Sequence, residues 1–181
     1  MATGPSIDKL PAGGRNFVAD LLTPEGRRVV WAMLVILRLI WVHLGLPCTC
    51  WSPLGHMTQD QDIVRNEQTR MQELVFIVFS RQVVTWQASR GRHVSIENPP
   101  RCRSWALDTT QDTVEVGKLS FVEFDGCAWG MVDPGSGLFH KRAMRIASTV
   151  DLSALRRVCD RQHEHERIQG SVASGARKGT R

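Results

Sequence analysis

The sequence predicts an α/β layer fold with a mostly parallel sheet, and three observations carry that prediction. Short runs of β-branched and aromatic residues alternate with longer segments of helical periodicity. Gly/Pro punctuation such as "GLP", "NPP" and "DPGSG" separates them. The 181 residues, 42% hydrophobic, suffice for one core and argue for a single domain.

In order, residues 1–15, "MATGPSIDKLPAGGR", lack periodicity and read as a flexible lead-in. "NFVAD" is a short apolar strand ending at Asp20. "TPEGRRVVWAMLVIL" starts as a helix does, with Thr23 as N-cap, Pro24 in the first helical position and Glu25 in the first turn. "RLIWVHLGL" is apolar on both faces, as a central parallel strand is, and stops at Pro47. After the loop "GLPCTCWSP", apolar positions Ile63, Met71, Leu74, Val75, Val78, Phe79 and Val83 mark a long helix, closed by Gly91. "RHVSIENPP", "KLSFVEFDGCAWG" and "KRAMRIAST" supply three more strands. The domain is expected over residues 16–155, followed by a basic, partly disordered tail over 156–181. Trp31 and Trp41 are expected in the core; Trp51, Trp86, Trp105 and Trp129 are candidates for stacking on bases.

The net charge is +5, and from Arg156 to Arg181 seven basic residues stand against three acidic ones, a local +4. A basic tail suits a polyanion such as nucleic acid. Five scattered cysteines, Cys48, Cys50, Cys102, Cys127 and Cys159, form no disulfide framework, and the opening residues carry no secretory signal. Both point to a reducing compartment, nuclear or cytoplasmic. The apolar stretch from Val29 to Leu46 is interrupted by Arg38 and His43, which are costly in hydrocarbon, so no membrane partner is expected.

In a sheet of this class ligands bind beyond the carboxyl ends of the strands. Asp20, the loop Pro47–Ser52 and the loop Glu97–Pro100 all lie there. Cys48 and Cys50 are separated by Thr49 alone, a spacing that suits neither a zinc knuckle nor a redox pair well. Cys48 opens its loop where an exposed thiol could act as a nucleophile, whereas Cys50 reads as a packed structural thiol. Glu97 is a strand-end carboxylate able to donate a proton or a hydrogen bond to a substrate, with Asn98 beside it. Arg101 and Arg103 offer cations for phosphates.

"PCTCWS" resembles the Pro-Cys-x-x-(aromatic)-Ser loop of DNA cytosine-5 methyltransferases. "IENP" is similar to their strand-end Glu-Asn-Val, in the same order and at comparable separation, and Asp20 resembles the acidic residue ending their preceding strand. The resemblance covers residues 16–149. It implies a Rossmann-like sheet of the S-adenosylmethionine-dependent methyltransferase type. It implies also that Cys48 attacks C6 of a flipped cytosine while Glu97 holds the N3 edge. Arg142 and Arg145 would steady Glu97 and the base, Asp20 and Pro47 would meet the cofactor, and Ser52, Asn98, Arg101 and Arg103 would contact the nucleic acid, DNA by the resemblance.

The family's Phe-x-Gly-x-Gly strand and second acidic strand have no counterpart, Pro99 replaces the Val, the Gln before the arginines is absent, and no target-recognition segment follows Ile146. The expectation is therefore an incomplete or degenerate core, an enzyme only if cofactor binding survives. One alternative is a non-catalytic nucleic-acid-binding or mobile-element-derived domain. Another is a zinc-stabilised interaction module, built from Cys159, His163 and His165 with Cys127 or Cys102. A polar helix with solvent-facing histidines explains that stretch more simply, so zinc is not expected and no metal ligand is assigned. "NPPR" is also similar to the Asn-Pro-Pro-aromatic motif of amino-group methyltransferases, but Arg101 replaces the stacking aromatic, and this reading ranks lower.

Overall fold

The computed structural model describes residues 6–8, 16–48, 50–51 and 63–166. Strand β1 (Ser6–Asp8) pairs in parallel with β2 (Asn16–Val18), so the expected lead-in contains a strand. Helix α1 (Pro24–Leu37) follows, then β3 (Trp41–Gly45), the 26-residue helix α2 (Ile63–Ala88) and β4 (His93–Asn98). A 3-10 turn (Arg103–Ala106), helix α3 (Asp108–Val116), β5 (Ser120–Asp125) and β6 (Ala143–Ser148) complete the order.

The α/β class holds, but the main sheet is mixed rather than mostly parallel. Its order is β3-β4-β6-β5, with β3 parallel to β4 and β6 antiparallel to both of its neighbours. The cause lies between β5 and β6. A parallel return needs a crossover, normally a helix. Here the chain passes instead through a 3-10 turn (Gly126–Trp129) and a loop closed by the Val132–Phe139 bridge. Asp133 shapes that loop by accepting from Gly135 and Ser136 N–H, and the chain re-enters the sheet running backwards.

Helix α1 begins as its sequence dictates: Thr23 Oγ1 accepts from Gly26 N–H at 3.0 Å, and Pro24 occupies the first turn. Its buried residues Gly26, Val30 and Leu34 share one face at four-residue spacing. Helix α2 links two apolar clusters. Phe79 and Val83 pack with Ala19, Val30 and Leu34, while Val84 packs with Leu46, Val94, Ile96, Cys102, Trp105, Leu119 and Ala147. Its buried stripe is Glu73, Ile77, Ser80, Val84 and Gln87, flanked by Phe79 and Val83; Met71, Val75 and Val78, expected to pack, are exposed. The stripe includes three polar side chains, which apolar periodicity does not register.

Among the described residues β3 is an edge strand, not a central one, and its residues alternate between exposed and half-buried. Trp41, expected in the core, is 44% exposed, with its indole N–H on Ser95 Oγ at 2.9 Å. Trp31 is half-buried and packs edge-on against Phe79 and Trp86. Residues 156–166 fold back onto the end of β5: Asp125 N–H donates to Arg157 O and Cys159 N–H to Asp125 Oδ2, both at 2.9 Å. No described helix is long and apolar enough to cross a membrane.

Candidate functional site

The parallel pair β3–β4 sets the geometry at the carboxyl edge. Gly45 is the register partner of Glu97, and Leu46 N–H continues the ladder to Glu97 O at 3.1 Å. The Cys48 loop therefore leaves β3 beside the last residues of β4. It is tied there twice more, by Trp51 N–H to Cys48 O at 3.2 Å and by Arg103 N–H to Trp51 O at 2.8 Å. Arg142, just before β6, brings Nη2 to 3.9 Å from Glu97 Oε1. Glu97 is largely buried and the arginine mostly exposed, so the pair is open to solvent on one side.

Cys48 is the half-buried cysteine; Cys50, Cys102, Cys127 and Cys159 are buried. Burial pushes the Cys48 thiol above its ordinary range. Cys102, Glu73 and Glu97 push in the same direction, and Arg142 opposes them. Cys50 is likewise raised by burial and by Glu73, in keeping with a packed thiol.

Glu73 is a residue that sequence reasoning missed. It is 8% exposed on the inner stripe of α2, and burial raises its carboxyl above the usual range, opposed in part by the nearby Cys50 backbone and Trp51 indole. With Leu22, Gly45, Pro47, Thr69, Gln72 and Phe76 it lines a cavity of about 320 Å³ between the Asp20 corner, the end of β3 and α2. This volume falls at the lower end of small-molecule pockets. The available signal was a carboxylate four residues before Ile77 on the buried helical stripe.

The Asp20 corner is held by local hydrogen bonds. Asp20 Oδ1 accepts from Leu22 N–H, Asp20 O accepts from both N–H and Oγ1 of Thr23, and Arg27 Nη1 donates to the carbonyls of Leu21 and Leu22 at 2.8 Å. A Cβ on Gly26 would lie 2.0 Å from Asp20 O, so only glycine lets α1 start against this corner.

Other expected site residues are placed differently. Asn98 is buried and donates from Nδ2 to Ser104 Oγ at 2.8 Å, which anchors the 3-10 turn after β4. Arg145 is the register partner of Asn98 and Glu123, one step along from Glu97; it pairs with Glu123 and lies over Trp105 and Phe121 rather than joining Cys48. Arg101 and Arg103 are exposed beside the site, and Ser52 lies outside the described residues. Trp105 is buried with its N–H on Pro99 O, and Trp51 packs on the core, so neither presents a free face for stacking. Trp86 is covered by Arg90, with its ring 4.1 Å from the guanidinium carbon, and Trp129 is covered in the same way by Arg157.

At the other end of β5 a second cluster forms. Cys127, Cys159, His163 and His165 bring one donor atom each to within 4.8 Å of one another. Cys102, the other cysteine considered for this group, lies instead against Ser104 Oγ at 3.1 Å. Compared with known proteins, the chain matches no family model, no curated protein and no solved structure.

Proposed function

We propose that the chain is a cytosine-5 methyltransferase-like domain acting on a flipped cytosine in nucleic acid, DNA by the sequence resemblance, through Cys48. The observation that carries this reading is the register pair Gly45–Glu97, which sets the Cys48 loop against Glu97 with Arg142 at its side. Supporting it, three strands share one direction and an antiparallel β6 is inserted between β4 and β5, an arrangement in keeping with a Rossmann-like core. The exposed Arg101, Arg103 and Arg142 offer charge to a phosphate backbone.

The cavity of about 320 Å³ beneath Pro47, walled by Glu73 and Phe76 and adjoining the Asp20 corner through Leu22, is the place where a methyl donor would sit. When bound, S-adenosylmethionine would supply an electrophilic methyl group. Pro47, Leu22 and Phe76 would hold it at the mouth of the Cys48 loop. Cytosine is a weak nucleophile at C5, so covalent help is needed. Cys48 Sγ would give its proton to water and bond to C6, while the Glu97 carboxyl donates a proton to N3, where the electron pair displaced from the C5–C6 double bond is received. Arg142 keeps that carboxyl oriented. Once C5 has gained its methyl group, the C5 proton would pass to water, its electron pair re-forming the C5–C6 double bond as Cys48 leaves as thiolate, and the N3 proton would return to Glu97. The base must be out of the helical stack for this geometry.

One observation favours the non-catalytic alternative: Cys48 sits among groups that hold its thiol protonated. The two readings separate in one assay. Methyl transfer from radiolabelled S-adenosylmethionine to cytosine-containing DNA supports the enzyme. DNA binding without cofactor binding by calorimetry, and without transfer, supports the binding domain.

A further inference from the structure

The cluster at the end of β5 has a donor set and spacing that the Cys48 site does not need. In a tetrahedral site with metal–sulfur bonds of about 2.3 Å and metal–nitrogen bonds of about 2.0–2.1 Å, sulfur and nitrogen ligands lie about 3.5 Å apart. Cys159 Sγ lies 3.7 Å from His163 Nε2 and 3.3 Å from His165 Nε2. With Cys127, the ligand atoms form a closed S2N2 set that leaves no position open. We infer that Cys127, Cys159, His163 and His165 bind one structural zinc ion, which fastens residues 156–166 to the end of the sheet.

The surroundings match such a site independently of the four ligands. The other ring nitrogen of His163, Nδ1, lies 3.3 Å from Asp160 Oδ1, the carboxylate–histidine relay that orients a metal-bound imidazole. Arg161 N–H donates to Cys159 Sγ at 3.3 Å, and Phe139 packs on the His163 ring at 4.4 Å between centroids. Cys127 is presented by the turn Gly126–Trp129, which Gly130 closes in the left-handed region at φ 76°.

The segment's own attachments are chiefly polar: Arg157 lies over Trp129, and hydrogen bonds run to Asp125 and Phe139. After the 3-10 turn Ser153–Leu155 it has no regular secondary structure, Val158 is 75% exposed, and Arg161 is held at φ 63°. Few apolar contacts offset the entropy of ordering it. A metal ion supplies that energy in small or irregular segments. Tetrahedral sulfur–nitrogen coordination selects zinc over hard cations, and four protein ligands make it structural rather than catalytic.

The test uses the full chain purified without chelator. Elemental analysis should find one zinc per chain, and cobalt substitution should give the intense visible absorption of a tetrahedral ion with a thiolate charge-transfer band. Cys127→Ser and His165→Ala should each lose the metal, while Cys102→Ser keeps it. Hydrogen exchange separates metal loss from global unfolding: chelation should deprotect residues 156–166 and leave β4 and α2 protected. Substoichiometric zinc, iron in its place, a Cys127–Cys159 disulfide in the purified protein, or unchanged exchange at 156–166 after chelation would each overturn the assignment.

Discussion

A side chain on Gly45 would meet Glu97: an added Cβ would stand 3.8 Å from Glu97 Oε2. The two residues are partners in the parallel register, so the strand that delivers Cys48 also leaves room for the carboxylate beside it. Alanine fits at ordinary contact distance, and Gly45→Ala should change stability by no more than about 1 kcal/mol. A larger branched side chain would crowd the carboxylate, the one group within 4 Å of that position. Gly45→Val is expected to keep the urea midpoint close to that of Gly45→Ala while slowing covalent capture of cytosine. Equal capture rates for the two variants would show that Glu97 has no part in it.

The reactivity of Cys48 follows from its neighbours. Burial and the charges of Glu73 and Glu97 raise its thiol, and Arg142 lowers it. Alkylation of Cys48, followed by peptide mapping, should therefore rise with pH only above the ordinary thiol range. Glu73→Gln removes a negative charge and should move that profile to lower pH; Arg142→Gln removes a positive one and should move it higher. Shifts in the same direction for both variants would contradict this electrostatic picture.

Glu73 also makes stability depend on pH. Its folded carboxyl titrates above its unfolded value, so its neutral form is favoured by folding. That contribution is complete below the unfolded value and is lost as pH rises through the folded one. Glu73→Gln, which mimics the neutral form, should have a higher Tm than the parent at about pH 7 and above. The difference should close as pH falls to about 4, the ordinary glutamate range. A constant difference across that span, measured by thermal melts, would rule out ionisation as its cause.

Much of the element order was legible because it rests on local signals: the Thr23–Pro24 helix start, the Gly91 stop, and the short apolar runs of β4, β5 and β6; β1, in the expected lead-in, and the short polar helix α3 were not read. Strand direction was less so, since alternating strands and helices imply crossovers, and the β5–β6 return has no helix. Three of the expected site residues converge, Cys48, Glu97 and Arg142, because each sits at a strand end. Arg145 and Asn98 do not join them, because one residue along a strand reverses the face. Glu73 was hidden for the opposite reason: a carboxylate on a buried helical stripe reads as solvent-facing. The Cys-His cluster was half legible, since Cys159, His163 and His165 are close in sequence while the fold brings in Cys127.

Gly45 places Glu97 beside the Cys48 loop, and covalent capture reads the consequence of that most directly. The chain is incubated with S-adenosylmethionine and DNA carrying 5-fluorocytosine, whose C5 cannot release a proton, so a bond from sulfur to C6 persists in denaturant. An adduct mapped to Cys48 is expected, abolished in Cys48→Ser, kept in Cys50→Ser and slowed by about 10²–10⁴-fold in Glu97→Gln, the range for a positioned acid–base group. No adduct in the parent chain, or one that survives in Cys48→Ser, would contradict it.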